Sequence, residues 1–263
     1  MLMNGKKYTS KIIKVPALVP DAKLFLSQWD GELSVDENIE RAIQYNIFGK
    51  TSRTFVKNIL KAFKERFIFG DEQDEALREL VKSEVDQNIV DRILYYYTAL
   101  ADQLLYDFVI NYVYEVQRSG RDLFITTMKA QRYIQRLSED GKTTAEWSDT
   151  VCNRVARNTL TTLRDFHLLE GKVKKRIVPP YLPVESFVYI AYLLYQREPA
   201  GDKMIDHRDW KLFLLDSFAV ERLFLEAHQY GYLTYNAAGS LIRIDFKQKS
   251  IMEVVDDIMQ RTA

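Results

Sequence analysis

Between Ser148 and Arg164 the side chains sort onto opposite halves of a helical wheel. Val151, Cys152, Val155, Ala156, Thr159, Leu160 and Leu163 form one half, and Asn153, Arg154, Arg157, Asn158, Thr161 and Arg164 the other. A half-buried strand would alternate with period two, so this stretch constrains the chain to a helix with one face in a core. Ser148 is its N-cap, with a hydroxyl that accepts an orphan amide of the first turn. The helix breaks near Asp165, and Phe166–Gly171 leads into a basic run, Lys172, Lys174, Lys175 and Arg176. Upstream, an amphipathic helix over about Asp122–Leu137 stops at Glu139-Asp140-Gly141. The order is helix, turn, helix, short basic return.

A helix that enters the major groove of DNA needs an apolar back to hold it on its domain. It also needs a front of Arg, Asn and Thr, whose side chains fit base edges and phosphates. Arg154, Arg157, Asn158, Thr161 and Arg164 supply that front. The basic run after Gly171 suits a wing lying along a phosphate strand. A solvated surface helix would show a similar stripe. Against that reading stand the preceding helix and turn, the lack of an acidic residue on the central front face, and the trailing cations.

A second outline of the same kind lies earlier. Ser34 or Asp36 starts a helix to about Tyr45, a turn follows at Asn46–Thr51, and Ser52 caps a helix over Arg53–Phe67. Phe55, Val56, Ile59, Leu60, Phe63 and Phe67 face inward, and Arg53, Lys57, Lys61 and Lys64 form an opposing stripe. Glu65 is the one acidic residue on this helix.

Elsewhere the pattern is mainly helical. Pro16 and Pro20 interrupt the first segment, where Asp21 is placed to cap a short helix through Trp29. Asp71–Leu80 reads as an acidic helix, and Gln87–Val116 as one or two core helices. Tyr95, Tyr96 and Tyr97 belong to that core, with hydroxyls expected at the surface. Pro179, Pro180 and Pro183 stiffen a connection to a helix over Val184–Gln196, and Glu198–Asp206 reads as a loop. Helices over Asp209–Leu215 and Ala219–Gln229 lead to a hairpin turning at Asn236–Gly239, and Ile251–Arg261 closes the chain. This last group is a winged-helix outline with little positive charge, which suits a structural or partner-binding role. A weak boundary at Gln117–Gly120 divides the chain into regions 1–117 and 118–263, free to pack as one globule.

Apolar residues make up 47% of the 263 positions, enough for a real core. Net charge is zero but unevenly spread. Lys50–Arg66 carries six basic residues and one acidic, Lys142–Arg176 eight and four, and Asp71–Asp107 three and ten. Strongly signed faces therefore hide in a neutral total. Cys152 is the one cysteine, so no intramolecular disulfide exists, in keeping with a cytoplasmic protein. Asp102, Gln103, Asp107 and Asn111 interrupt the longest apolar stretch, Ile93–Val116, so no membrane span is expected.

Catalytic motifs break on inspection. Gly49-Lys50-Thr51 and Gly141-Lys142-Thr143 imitate the end of a phosphate-binding loop, but Gln44 and Arg136 stand where its first glycine belongs. His207-Arg208-Asp209 imitates a kinase catalytic loop, yet Leu214 replaces the required asparagine. His167, His207 and His228 are scattered, and one cysteine completes no usual zinc site. The expectation is no metal, no cofactor and no catalysis.

The segment Glu37–Phe67, the run L-T-T-L-R-D-F-H-L-L-E-G over Leu160–Gly171, and the following Pro179-Pro180 resemble the BrxA family of bacterial BREX phage-exclusion systems. The likeness covers roughly the first two-thirds of the chain and rests on hydrophobic and basic patterns. It implies a cytoplasmic, mainly helical accessory protein of a defence system that marks host DNA by methylation. It further implies work beside a methyltransferase, an ATPase and a phosphatase-like component, and binding of double-stranded DNA.

Together these readings predict a mainly α protein, a helical globule with two helix-turn-helix elements and small winged-helix-like hairpins. It is expected to bind duplex DNA without chemistry. Lys57, Lys61, Lys64, Lys172, Lys174 and Lys175 would hold phosphate, Arg154, Arg157, Asn158 and Thr161 would reach base edges, and Arg53, Arg164 and Arg176 complete the DNA-binding set. A protein scaffold docking through its helix faces, or an RNA-binding helical domain, is the alternative.

Overall fold

A computed structural model describes residues 7–239 and 241–262. The fold is mainly helical, with small antiparallel sheets. After a single turn of 3-10 helix at Lys11–Ile13 come α1 (Val19–Ser27), α2 (Val35–Gln44), α3 (Arg53–Phe67) and α4 (Glu72–Lys82). A long hydrophobic rod follows in three pieces: α5 (Gln87–Ala101), α6 (Gln103–Phe108) and α7 (Tyr114–Ser119), the last two joined by a π turn at Val109–Val113. Strand β1 (Phe124–Thr126) precedes α8 (Thr127–Glu139) and α9 (Asp149–Asp165), and β2 (Leu169–Glu170) and β3 (Lys174–Ile177) come after. The chain continues with α10 (Val184–Arg197), α11 (Gly201–Ile205), a 3-10 turn at Arg208–Phe213, α12 (Ser217–Gln229), the hairpin β4 (Leu233–Ala238) and β5 (Leu241–Phe246), and α13 (Ile251–Thr262).

Local chemistry explains most boundaries. Ser34, Ser52 and Ser148 accept amides of Glu37, Phe55 and Val151, so all three serines cap as their sequence context suggests. Ser34 and Glu37 complete a reciprocal capping box. Helices α2, α8 and α9 stop at left-handed Asn46, Gly141 and His167. There the amides of Ile47, Lys142 and Leu168 reach back to the carbonyls of Ala42, Leu137 and Leu163.

Several expectations are corrected. The helix expected from Asp122 begins at Thr127, because Phe124–Thr126 pairs as a strand with Lys174–Arg176. Asp21 lies in the first turn of α1 and does not cap it; left-handed Leu18 holds the N-cap position. Asp102 ends α5 and its Oδ1 caps α6, so the Gln87–Val116 rod is broken there. The expected loop Glu198–Asp206 contains α11, whose Gly201 lies so close to the Ile242 carbonyl that no Cβ would fit. The expected helix Asp209–Leu215 is a 3-10 turn ending at Phe213. Hairpin β4–β5 keeps its pairing to Ala238–Leu241, beyond the turn expected at Asn236.

Tyr95, Tyr96 and Tyr97 lie in the core as expected, but their hydroxyls are buried too. They bond the Leu212 carbonyl, the Asp209 carboxylate and Tyr189. Such partners satisfy polar atoms that burial would otherwise penalise. These bonds, with that of Ser186 to the Ile89 carbonyl, tie the rod to the last third of the chain. One hydrophobic cluster runs from Ile12 to Ile258. No helix among the described residues is long and apolar enough to cross a membrane.

Candidate nucleic-acid interface

The α8–α9 pair and its strands form a compact unit. The sheet order is β1-β3-β2, antiparallel throughout, with Ile125 opposite Lys175 and Leu169 opposite Ile177. Val155, Ala156, Leu160 and Leu163 bury the back of α9. Exposed Thr150, Arg154, Arg157 and Arg164, with half-buried Thr161, repeat at spacings of three and four along one outward stripe, and exposed Asp149 in the first turn accepts from Gln135 of α8. Neither Arg154 nor Arg157 has an ion-pair partner among the described residues, while Arg164 meets Asp165 at 3.0 Å.

Asn158 departs from that stripe. It is half-buried, and its amide donates to the Ile13 carbonyl at 3.3 Å. The expected base-edge contact is therefore replaced by a brace between α9 and the N-terminal segment. On the opposite flank Asn153 donates to Gln131 of α8. The front is thus narrower than the wheel suggests, and purely Arg and Thr.

The basic return becomes the β2–β3 hairpin. Its turn needs Gly171, at φ +100°, because a Cβ there would sit 2.6 Å from the Lys174 carbonyl oxygen. Lys172, Lys174 and Arg176 are exposed, and the tip residue Val173 projects into solvent. Strand alternation sends Lys175 the other way. It is 6% exposed and its ammonium donates to the Lys172 carbonyl at 2.9 Å. Burial first, then nearby Arg164 and Arg157, pushes its pKa down. Lys175 is thus no outward phosphate ligand: it shores up the hairpin turn and marks how close α9 lies to the hairpin.

The α2–α3 pair carries the second basic stripe. Arg53, Lys57, Lys61 and Lys64 are all exposed, and Lys64 meets Asp36 at 3.3 Å in an open pair of little energetic weight. Arg66, one turn from these, is buried and donates to the carbonyls of Val15, Pro16 and Ala17. Burial pushes its pKa down to about 10. Its charge serves the fold.

The N-terminal segment joins helices α3 and α9. Tyr8 bridges to the α8–α9 turn at Thr143, and Ile13 receives Asn158 of α9. Lys11 then bonds Glu65 of α3 at 3.0 Å. Exposed Lys14 and Lys61 line the same cleft, of about 280 Å³, between this segment and α3. Helices α3 and α9 therefore both touch one segment, and its Lys14 lies across the cleft from the α3 stripe at Lys61. Lys11 and Lys14 escaped the sequence reading. The K-I-I-K spacing was visible, but its neighbours are remote in sequence.

In the imitated motifs the polar side chains have near partners. Lys50 pairs with Asp21 and Lys142 with Asp140. Asp209 is buried beneath the Tyr96 and Tyr106 hydroxyls.

A family model named BrxA matches residues 6–192, well over half of the chain, and the protein belongs to that family. No curated protein matches it. Membership makes it a component of a bacterial BREX phage-defence system.

Proposed function

We propose that this BrxA-family chain is a non-catalytic, duplex-DNA-binding accessory component of its defence system. Topologically, α7, β1, α8, α9 and the β2–β3 hairpin follow a winged-helix order, with α9 as recognition helix and the hairpin as wing. The observation that carries the reading is the outward row of Arg154, Arg157, Thr161 and Arg164 beside exposed Lys172, Lys174 and Arg176. Two arginines without carboxylate partners keep their bidentate forks free for guanine edges or phosphates. Arg53, Lys57, Lys61, Lys64 and Lys14 extend the positive surface and supply sequence-independent affinity.

In this reading the chain works in the cytoplasm without metal or cofactor, alongside the system's methyltransferase, ATPase and phosphatase-like component. A-form RNA has a major groove too narrow for α9, so duplex DNA is preferred to duplex RNA. The test is a gel-shift series of the full chain on duplex DNA and duplex RNA at rising salt. The expected outcome is DNA binding that weakens with a log–log slope of about −0.9 per phosphate contact. Absence of DNA binding at low salt, or tighter binding to RNA, contradicts the proposal. ATP turnover by the pure chain that a point substitution abolishes would contradict its non-catalytic part.

A further inference from the structure

Helix α12 leads into hairpin β4–β5, and its outward stripe is Phe218, Arg222, Leu225 and Gln229. Phe218 is 70% exposed and Leu225 43%. Beside it runs an open groove of about 230 Å³ whose walls include Pro180, Leu182, Leu215 and Leu223. Tyr181 stands at its edge, 75% exposed, and Tyr230 is 56% exposed. Single exposed apolar side chains need no explanation, but an open apolar groove edged by exposed Tyr181, with exposed Phe218 one turn from Arg222 of its wall, does.

The patch is also held rigid. Arg92, itself buried, donates from Nε to the Tyr181 carbonyl and from Nη1 to the Phe166 carbonyl. Pro180 and Pro183 limit the backbone on either side. A buried guanidinium thus fixes a segment whose central aromatic ring faces water. Preorganisation of that kind lowers the entropy lost on binding. The charges nearby are mainly acidic: Glu226, Glu185 and Asp86 lie close to the Tyr181 phenol, and Arg222 is the one cation of the groove wall.

We infer that this groove docks a protein segment presenting large apolar side chains flanked by lysine or arginine. The apolar anchors match Tyr181, Leu215 and Leu223 in the groove, with Phe218 one turn along α12 from its Arg222, and the flanking cations match Glu226 in the wall and Glu185 and Asp86 near Tyr181. Those carboxylates disfavour a phosphate backbone. They also disfavour a two-fold contact of the groove with itself, which would oppose like charges. The inference does not depend on what α9 binds.

The experiment selects a displayed random-peptide library on the full-length chain, with counter-selection on Tyr181→Ser/Phe218→Ser. Both side chains are exposed, and circular dichroism checks the fold of the variant. Expected are peptides with aromatic or aliphatic anchors next to Lys or Arg. Their affinity for the chain should fall at least about tenfold on the double substitution, and separately on Glu226→Lys. Duplex-DNA affinity should not change in the double variant. Four results would overturn the inference: no enrichment over the variant, enrichment of acidic peptides, loss of DNA binding in the variant, or wild-type self-association that the variant abolishes. The last would assign the face to a second copy.

Discussion

Helices α9 and α12 each lead into an antiparallel hairpin, α9 after helix α8 and α12 after the 3-10 turn at Arg208–Phe213. Each starts at a side-chain cap, Ser148 or Asp216. Each ends in a reversal closed by the same bond pattern, Leu168 to Leu163 and Tyr232 to Ala227. An antiparallel hairpin follows each. Both backs are buried, with Val155, Leu160 and Leu163 beside Thr159 and Thr162 in one and Val220, Phe224 and Ala227 in the other. The fronts differ: Thr150, Arg154, Arg157, Thr161 and Arg164 against Phe218, Arg222, Leu225 and Gln229. The back is what folding demands, so the arrangement alone does not say what a unit binds. The front does. On this account one unit meets DNA and the other meets protein.

The largest expected effect breaks the comparison at its centre. Arg154→Glu with Arg157→Glu should weaken duplex binding by about 3 kcal/mol or more, since two contacts are lost and like charges replace them. Leu225→Ala on α12 should leave that affinity unchanged. Fluorescence anisotropy on one labelled duplex measures both. A milder effect follows from the α3 stripe. Lys57→Ala with Lys61→Ala should weaken binding to every sequence alike and reduce the magnitude of the log–log salt slope by about 1.8. A sequence-dependent loss would instead make α3 a reader of bases.

Asn158→Ala sharpens the edge of the α9 front. Its amide braces Ile13, so thermal or urea unfolding should show a loss of about 1 kcal/mol, with DNA affinity of the folded variant little changed. The smallest effect belongs to Lys175. Its folded pKa lies below the ordinary lysine value of 10.5, so the charged form is disfavoured in the native state. Below that folded pKa the charge costs stability, and the cost is relieved as pH rises through it toward 10.5. Lys175→Met should be close to neutral or slightly stabilising at pH 7, within about 0.5 kcal/mol. It should also lack the wild type's rise in urea-unfolding free energy as pH climbs toward 10.5.

Local signals were legible and distant ones were not. Ser52 and Ser148 announce α3 and α9 because capping acts across three residues. The wheel of α9 separates front from back because burial follows the 3.6 period. Asn158 reads as a front residue because its partner, Ile13, is 145 residues away. Strand β1 reads as helix in the sequence because a three-residue strand is visible only in its pairing with Lys174–Arg176. Lys175 looked like its neighbours until the same pairing turned alternate side chains inward. The tyrosine hydroxyls looked solvent-bound because Leu212, Asp209 and Tyr189 lie far along the chain.

The division of labour between α9 and α12 can be read by photo-crosslinking. A benzophenone side chain placed at Thr161, on the α9 front, or at Gln229, on the α12 front, is irradiated with radiolabelled duplex DNA at low salt. The account predicts a DNA adduct from position 161 and none from position 229. Equal adducts from both positions, or an adduct from 229 alone, would contradict it.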